Sequence, residues 1–326
     1  AGDKSIAIDY RETAPLAAHT DVYLDDQGNV DDTAHRKGHR SVAVPGTVAG
    51  LAHALKNYGT MTLQQVMAPA IALAGDGFEM DYDTASAIAT RTRMLSAHPE
   101  TRNIFFQPDG SLYQKGQLFQ QPALASTLRA IAENGISAFY SGSIARQIVA
   151  EMQRNNGLIT LEDLASYQPV ERKAIVGSYR DHTIVSMPPP SSGGVHLIQM
   201  LNVLEHFPIR EMGANSSRYL HVLAAVMKRA YADRSKHLGD PDFYSVPIDW
   251  LISDAYAEEL AGQIKPNKVV PSSQVSPGEP PPYESIDTTH FSIIDSDGNA
   301  VSNTYTLNFS FGSGVVVKGA GFLLNN

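Results

Sequence analysis

The chain contains no cysteine. That excludes a disulfide framework, a thiol nucleophile and a zinc–thiolate centre, and it leaves the compartment open. Positive charge is scarce: 25 Lys and Arg stand against 34 Asp and Glu, a formal net charge of −9. The densest cationic run, His35-Arg36-Lys37-Gly38-His39-Arg40, is short and broken by glycine. No basic stripe exists to meet a phosphate backbone, so nucleic acid is not an expected partner. The run reads as a solvated loop. Long apolar runs are also lacking, and none reaches the roughly eighteen residues that would cross a membrane as a helix. The eleven histidines include no His-Glu-x-x-His helix, and although His35 and His39 have a metal-like separation, no neighbouring carboxylate completes a site. Both read as loop residues. There is no internal repeat and no low-complexity tract.

What is present suffices for a large core: 326 residues, 43% of them hydrophobic. Ser5–Tyr10 reads as a strand leading into a turn at Arg11. Over 122–134, Pro122 suits a first helical turn, Leu124, Leu128 and Ile131 form a stripe, and Asn134-Gly135 stops it. Over 143–154, Ser143 can cap, and Ile144, Ile148 and Met152 recur every four residues before Asn156-Gly157. Thr160-Leu161-Glu162-Asp163 has the form of a capping box for a short helix ending near Tyr167. Residues 173–187 read as two strands about Tyr179–His182. A further helix is expected from Ser191 or Ser192 to about Glu205. The longest one is capped by Asn215 or Ser216, with Leu220, Leu223, Met227 and Tyr231 as its packing side. Residues 269–285 are rich in Pro, Ser and Gly, as expected of an exposed linker.

Two glycine-containing words have competing readings. Ser191-Ser192-Gly193-Gly194 could bind an anion at a helix start, or could form a tight proline-to-helix turn with Gly allowing close packing. Gly312-Ser313-Gly314 is too short for a nucleotide loop and lacks the Lys such a loop requires.

A hairpin near the end of the chain carries the sharpest expectation. Asp287-Thr288-Thr289-His290-Phe291-Ser292 opens a strand that returns as Val301–Asn308, around Asp295-Ser296-Asp297-Gly298-Asn299. A three-residue loop with Gly298 left-handed makes Asp295 face Asn299 and sets Thr288 opposite Thr306, with Asn308 two residues on along the same face. A two-residue Asp297-Gly298 loop would instead bring Thr288 opposite Leu307. If the chain were cut before Thr288, the new α-amine, titrating near 7.7–8.0, would be a suitable base for its own hydroxyl. Cross-strand threonines also simply stabilise sheets.

Several words resemble the γ-glutamyltransferase (γ-glutamyltranspeptidase) family of N-terminal-nucleophile hydrolases. They are Ala7–Pro15, Pro45-Gly46-Thr47-Val48-Ala49-Gly50, Tyr58-Gly59-Thr60, Gly157-Leu158-Ile159-Thr160, Met187–Gly194, Tyr231–Ser235, Gly239–Phe243, Pro282–Ser285 and Thr288–Ser292. The likeness runs over essentially the whole chain in the family's order. It implies an α+β fold, the four-layer αββα sandwich, incomplete here at both ends. It implies a precursor that cuts itself before Thr288, dividing 1–287 (large subunit) from 288–326 (start of the small subunit). Thr288 then matches the nucleophile, Thr306 the hydroxyl that positions it, Arg11 the arginine that binds the substrate α-carboxylate, and Asn308 a substrate-contacting asparagine. A guanidinium fork suits a carboxylate bidentately, which Lys does not reproduce.

By the same resemblance the substrates are glutathione and other γ-glutamyl amides, with water or amino-acid or peptide amines as acceptors. The two subunits form a heterodimer, no metal or organic cofactor is implied, and the location is periplasmic or extracellular. The family's small subunit continues beyond the Leu324-Asn325-Asn326 at which this chain stops, and Ala1–Lys4 enters directly into a strand without a signal peptide. The missing part carries the oxyanion hole, so the chain alone is expected to be inactive. The alternatives are a cephalosporin or glutaryl acylase of the same superfamily, and a non-catalytic ligand-binding remnant.

Overall fold

The computed structural model describes residues 4–25, 27–31, 33–275 and 289–326. Helix outweighs strand, at 45% against 13%. The chain divides into two compact units, one formed by 8–170 with 285–326 and the other by 1–7 with 171–284. Chain order and compactness therefore part company, because the second unit interrupts the first.

The first unit is built mainly of helices whose ends follow local chemistry. Pro122–Asn134 runs as expected from proline in the first turn to Gly135, whose φ of +72° no side chain adopts cheaply. Leu161–Ser166 begins with a complete capping box between Thr160 and Asp163. Ser143–Arg154 buries Ile144, Ile148 and Met152, the stripe its spacing implies. Its N-cap is Gly142 with no side-chain bond, so Ser143 is the first helical residue and not the cap. These helices share a core with Val42, Val44, Val315, Val317 and Leu324. A second cluster gathers Met80, Ile88, Leu95, Phe105, Phe119 and Val316. The 313–324 segment is thus threaded through both cores. Buried threonines latch it: Thr101 Oγ donates to the Gly314 carbonyl at 2.8 Å, and Thr127 Oγ to that of Ala320 at 2.7 Å.

In the second unit, strands Ile175–Tyr179 and His182–Ser186 pair antiparallel about a turn at Arg180 (φ 51°). The Gly193–Glu205 helix packs on them. Gly194 explains its own place in the Ser-Ser-Gly-Gly word: an added Cβ would lie 2.1 Å from the Met187 carbonyl oxygen. That supports the close-packing reading, although Ser192, at the N-cap, makes no side-chain capping bond. Ser216 caps the longest helix, Ser217–His237, accepting from the Tyr219 N–H.

The packing side of that helix differs from the sequence reading. Leu220, Met227 and Tyr231 are 49%, 40% and 39% exposed, whereas Val222, Val226, Ala230 and Asp233 are buried. The buried face is one residue out of step, a rotation of about 100°. Small and β-branched residues face the Gly193–Glu205 and Asp254–Gly262 helices, where close approach limits side-chain size.

The basic run also departs from expectation. His39 lies in a 3₁₀ turn, His39–Ser41, and is only 6% exposed. Its Nε2 sits 3.0 Å from Glu151, which lies 112 residues further along the chain. Local sequence shows no carboxylate there because the partner arrives through the tertiary fold.

Candidate active site

Strands Thr289–Ile294 and Ala300–Tyr305 form the expected hairpin. Its register pairs Thr289 with Tyr305, His290 with Thr304 and so on to Ile294 with Ala300. Asp295 N–H donates to the Asn299 carbonyl at 3.0 Å, and Gly298 takes φ +82°. The loop is therefore the three-residue form, favoured because Gly298 enters the left-handed region without a Cβ clash. The Asp295 carboxylate accepts from the Asp297 and Asn299 N–H groups, holding the turn closed. The observed pairs follow the index sum of the three-residue loop, and the two-residue loop is ruled out. Thr288 itself lies outside the described residues, as does most of the 269–285 linker.

Period-2 alternation puts His290, Ser292, Thr304 and Ser302 on the hairpin face that Thr306 continues. These groups bond to one another: Thr304 Oγ lies 2.7 Å from His290 Nδ1, and Ser292 and Ser302 Oγ lie 3.2 and 3.3 Å from His290 Nε2. Sequence reasoning singled out Thr306 here and overlooked His290. The alternation of hydroxyl and imidazole residues on both strands was the available signal, and it becomes visible once the register is set.

Asn308 is placed differently from expectation. The strand ends at Tyr305, and Thr306 Oγ accepts the Asn308 N–H at 2.9 Å. Asn308 has φ +78°, so the chain turns out of the ladder and no longer continues the strand face. Its side-chain amide donates to the Asn326 carbonyl at 3.1 Å, and Asn326 Oδ1 accepts the Phe309 N–H at 3.1 Å. Asn326 thus supports the turn from beneath.

Arg11 follows the short strand Ala7–Asp9, which is three residues long where six were expected. Its backbone is fixed on both sides. The N–H donates to Asp9 Oδ1 at 3.1 Å, and the carbonyl accepts from Tyr167 Oη at 2.8 Å. The guanidinium is exposed and pairs with no described carboxylate.

Tyr10, which sequence reasoning treated only as part of a word, joins Arg11 to the hairpin. Its hydroxyl contacts Asn303 Oδ1, and the Thr304 carbonyl lies 3.4 Å away. Burial raises the Tyr10 pKa, partly countered by the Asn303 bond, so the group stays a protonated donor at neutral pH. The Pro-Gly-Thr-Val-Ala-Gly word makes room for this arrangement. A Cβ on Gly50 would fall 2.2 Å from the Tyr10 ring, and one on Gly46 would fall 2.0 Å from Tyr167 Oη. Tyr140 stacks on Tyr167 and fastens the same helix start, donating to the Pro45 carbonyl and accepting the Ala49 N–H. Both phenols are pushed up from the ordinary tyrosine pKa, chiefly by burial. Arg11, Tyr10 and the hairpin are therefore parts of one packed assembly within the first unit, with a hydroxyl-rich hairpin face and an exposed guanidinium.

The Gamma-glutamyltranspeptidase family model matches residues 1–326. Over 321 residues the chain is 50% identical to the glutathione hydrolase proenzyme of Escherichia coli strain K12, covering 98% of this chain and 55% of that protein. It thus spans about half the length of this curated relative. Among solved structures it resembles the γ-glutamyltranspeptidase of Helicobacter pylori, at 44% identity and a TM-score of 0.82, covering 87% of this chain and 81% of that one. It also resembles the cephalosporin acylase of Bacillus halodurans, at 28% identity and a TM-score of 0.85, covering 99% and 58% respectively. The fold is accordingly that of the N-terminal-nucleophile hydrolases, the α+β class expected from the sequence. With the family model spanning every residue and half the positions shared with a proenzyme of that family, this chain belongs to the γ-glutamyltranspeptidase family.

Proposed function

We propose that the protein cuts itself between Asp287 and Thr288 and then transfers γ-glutamyl groups from amides such as glutathione to water or to amino-acid and peptide amines. The observation that supports this reading is the hairpin register, which pairs Thr289 with Tyr305 and so would bring the preceding residue to Thr306 in a chain of this family. In the reaction, Thr288 Oγ attacks the γ-carbonyl while the freed α-amine accepts the hydroxyl proton. The leaving amine departs with a proton, and a γ-glutamyl ester remains on Thr288. Water or an acceptor amine then attacks the ester and restores the hydroxyl. Arg11 holds the substrate α-carboxylate in a bidentate contact, Thr306 orients the nucleophile, and Asn308 contacts the substrate from the turn. Residues 1–287 and 288–326 then belong to different subunits of a heterodimer. They remain associated because 313–324 lies in the core of the 8–170 unit. Among the described residues no helix is long and apolar enough to cross a membrane. Family likeness supports a periplasmic or extracellular location.

N-terminal sequencing of the smaller fragment of the complete protein tests the reading. It should begin Thr-Thr-His-Phe-Ser, the two fragments should co-elute under native conditions, and Thr288→Ala should give one uncut, inactive chain. A different first residue would move the nucleophile and overturn the assignment.

A second reading, an acylase acting on a dicarboxylic acyl chain, is favoured by the cephalosporin acylase likeness over 99% of the chain. Rates on γ-glutamyl and glutaryl amides of one amine separate the two, since Arg11 has an α-carboxylate to bind only in the former. A non-catalytic remnant would remain a single band on a denaturing gel.

A further inference from the structure

The chain is acidic overall, yet one groove in the 171–284 unit is lined, among the described residues, by five basic side chains and no acidic one. The Ser217–His237 helix supplies His221, Lys228 and Arg229, which fall on one face at helical spacing. The segment after the Asp254–Gly262 helix supplies Lys265 and Lys268 opposite them. The two sides are fastened together. His221 Nε2 donates to the Lys265 carbonyl at 2.9 Å, and Lys228 Nζ to the Val270 carbonyl at 3.1 Å.

Arg229 is the unusual member, at 5% exposure. Among the described residues, its three nitrogens donate only to neutral oxygens: the Ala225 carbonyl at 2.9 Å, the Gln263 carbonyl at 3.1 Å and Gln263 Oε1 at 3.4 Å. Those bonds use three of its five N–H donors. Among the described residues, Lys228, Arg229, Lys265 and Lys268 make no ion pair. Carbonyl dipoles satisfy hydrogen bonding without cancelling the charge, and a buried charge lacking a counter-ion is unfavourable. Burial accordingly lowers the Arg229 pKa from its ordinary value. Ala224, Ala225 and Ile264 add apolar wall, which lowers the local dielectric and strengthens attraction to any anion that enters. The cavity, about 120 Å³, suits one small group and is too small for a nucleotide.

We propose that this groove is a binding site for a small oxyanion, a phosphate or carboxylate group on a compact molecule, with Arg229 and Lys228 within and Lys265 and Lys268 at the rim. The site is independent of the hairpin chemistry and uses no residue assigned to it.

Isothermal titration calorimetry of the complete protein at constant ionic strength tests the proposal, with sodium phosphate, sodium acetate and sodium chloride as separate titrants. Saturable one-site binding of phosphate or acetate above the chloride control is expected. The titrant that saturates identifies the source of the oxyanion. The Lys265→Glu/Lys268→Glu variant, altered only at exposed positions, should keep its unfolding midpoint in chloride and lose affinity at least about tenfold. Lys228→Gln should weaken binding as well. Heats matching chloride for both anions, or binding unchanged in these variants, would overturn the proposal.

Discussion

Thr306 Oγ accepts the Asn308 N–H at 2.9 Å just beyond the last paired residue, Tyr305, and the function proposed above gives the same hydroxyl the task of orienting the nucleophile. Replacing Thr306 with valine keeps the β-branched shape and removes the hydroxyl. In the complete protein, turnover should fall by roughly 5- to 150-fold, because a hydrogen bond to a reacting group is worth about 1–3 kcal/mol. Thr306→Ser should restore most of the activity and so separates loss of the hydroxyl from loss of the turn. Thr304→Val is a poor neutral control, since Thr304 Oγ contacts His290 Nδ1 at 2.7 Å. Full activity in Thr306→Val, measured as kcat on a γ-glutamyl amide, would return the residue to an ordinary sheet role. Arg11 offers a complementary test. Its backbone is held by Asp9 and Tyr167 while its guanidinium is exposed. Lysine would keep the charge but lose the fork, so KM should rise by roughly 10- to 150-fold, from about 1.5–3 kcal/mol for a charged hydrogen-bonded contact. Self-cleavage, followed by gel, should proceed at the normal rate. An unchanged KM would remove Arg11 from substrate binding.

At the scale of elements, the hairpin is exposed along nearly its whole length, and strand pairing alone leaves a two-stranded ribbon marginal. Tyr10 is the contact that ties it to the strand exit, through Asn303 and the Thr304 carbonyl. The Pro45–Gly50 word contributes by omission, since Gly46 and Gly50 leave room for Tyr167 and Tyr10. Tyr10→Phe should leave the ring packed and remove only the hydroxyl. The expected loss is about 0.5–1.5 kcal/mol of local stability, seen as faster amide exchange in 289–305 than elsewhere. Exchange in the hairpin indistinguishable from wild type would show that the tether carries no load.

For the whole molecule, the 8–170 unit holds a buried acid–base pair, His39 and Glu151. Burial acts to raise the Glu151 pKa, but bonds from His39 and Arg154 outweigh it and leave the group below its ordinary 4.5. The adjacent His98 ring, edge-on to His39, is held below the usual histidine pKa by burial and the neighbouring imidazole. A carboxyl lowered in the folded state adds stability above its unfolded pKa and loses it as pH falls through the folded value. Glu151→Gln should therefore melt earlier than wild type at pH 7, with the gap narrowing below pH 4.5. A gap that stays constant from pH 7 to pH 3 would mean that packing, not charge, sets the effect. The interrupted layout of the two units also matters at this scale, because residues 313–324 are anchored in the core of the 8–170 unit although the second unit intervenes in sequence.

Local chemistry was legible from the residues alone. The bounds of Pro122–Asn134, the capping box at Thr160, the cap at Ser216 and the Gly298 loop follow from propensities and hydrogen bonds that span only a few residues. The same is true of the hairpin register, since the turn counts off every pair beyond it. Family words located Arg11, Thr306 and Asn308 without showing how they are held. Three outcomes needed the tertiary structure. Asn308 left the strand because Thr306 captured its N–H and Asn326 supported the turn from 18 residues away. The Ser217–His237 helix buried Val222, Val226 and Ala230 and left Leu220, Met227 and Tyr231 outward because the neighbouring helices, not its own spacing, set the packed face. His39 became buried because Glu151 arrived from 112 residues along the chain to meet it. Short-range hydrogen bonding is written into neighbouring residues, whereas the partner of a buried charge and the face of a helix are decided by whatever packs against them.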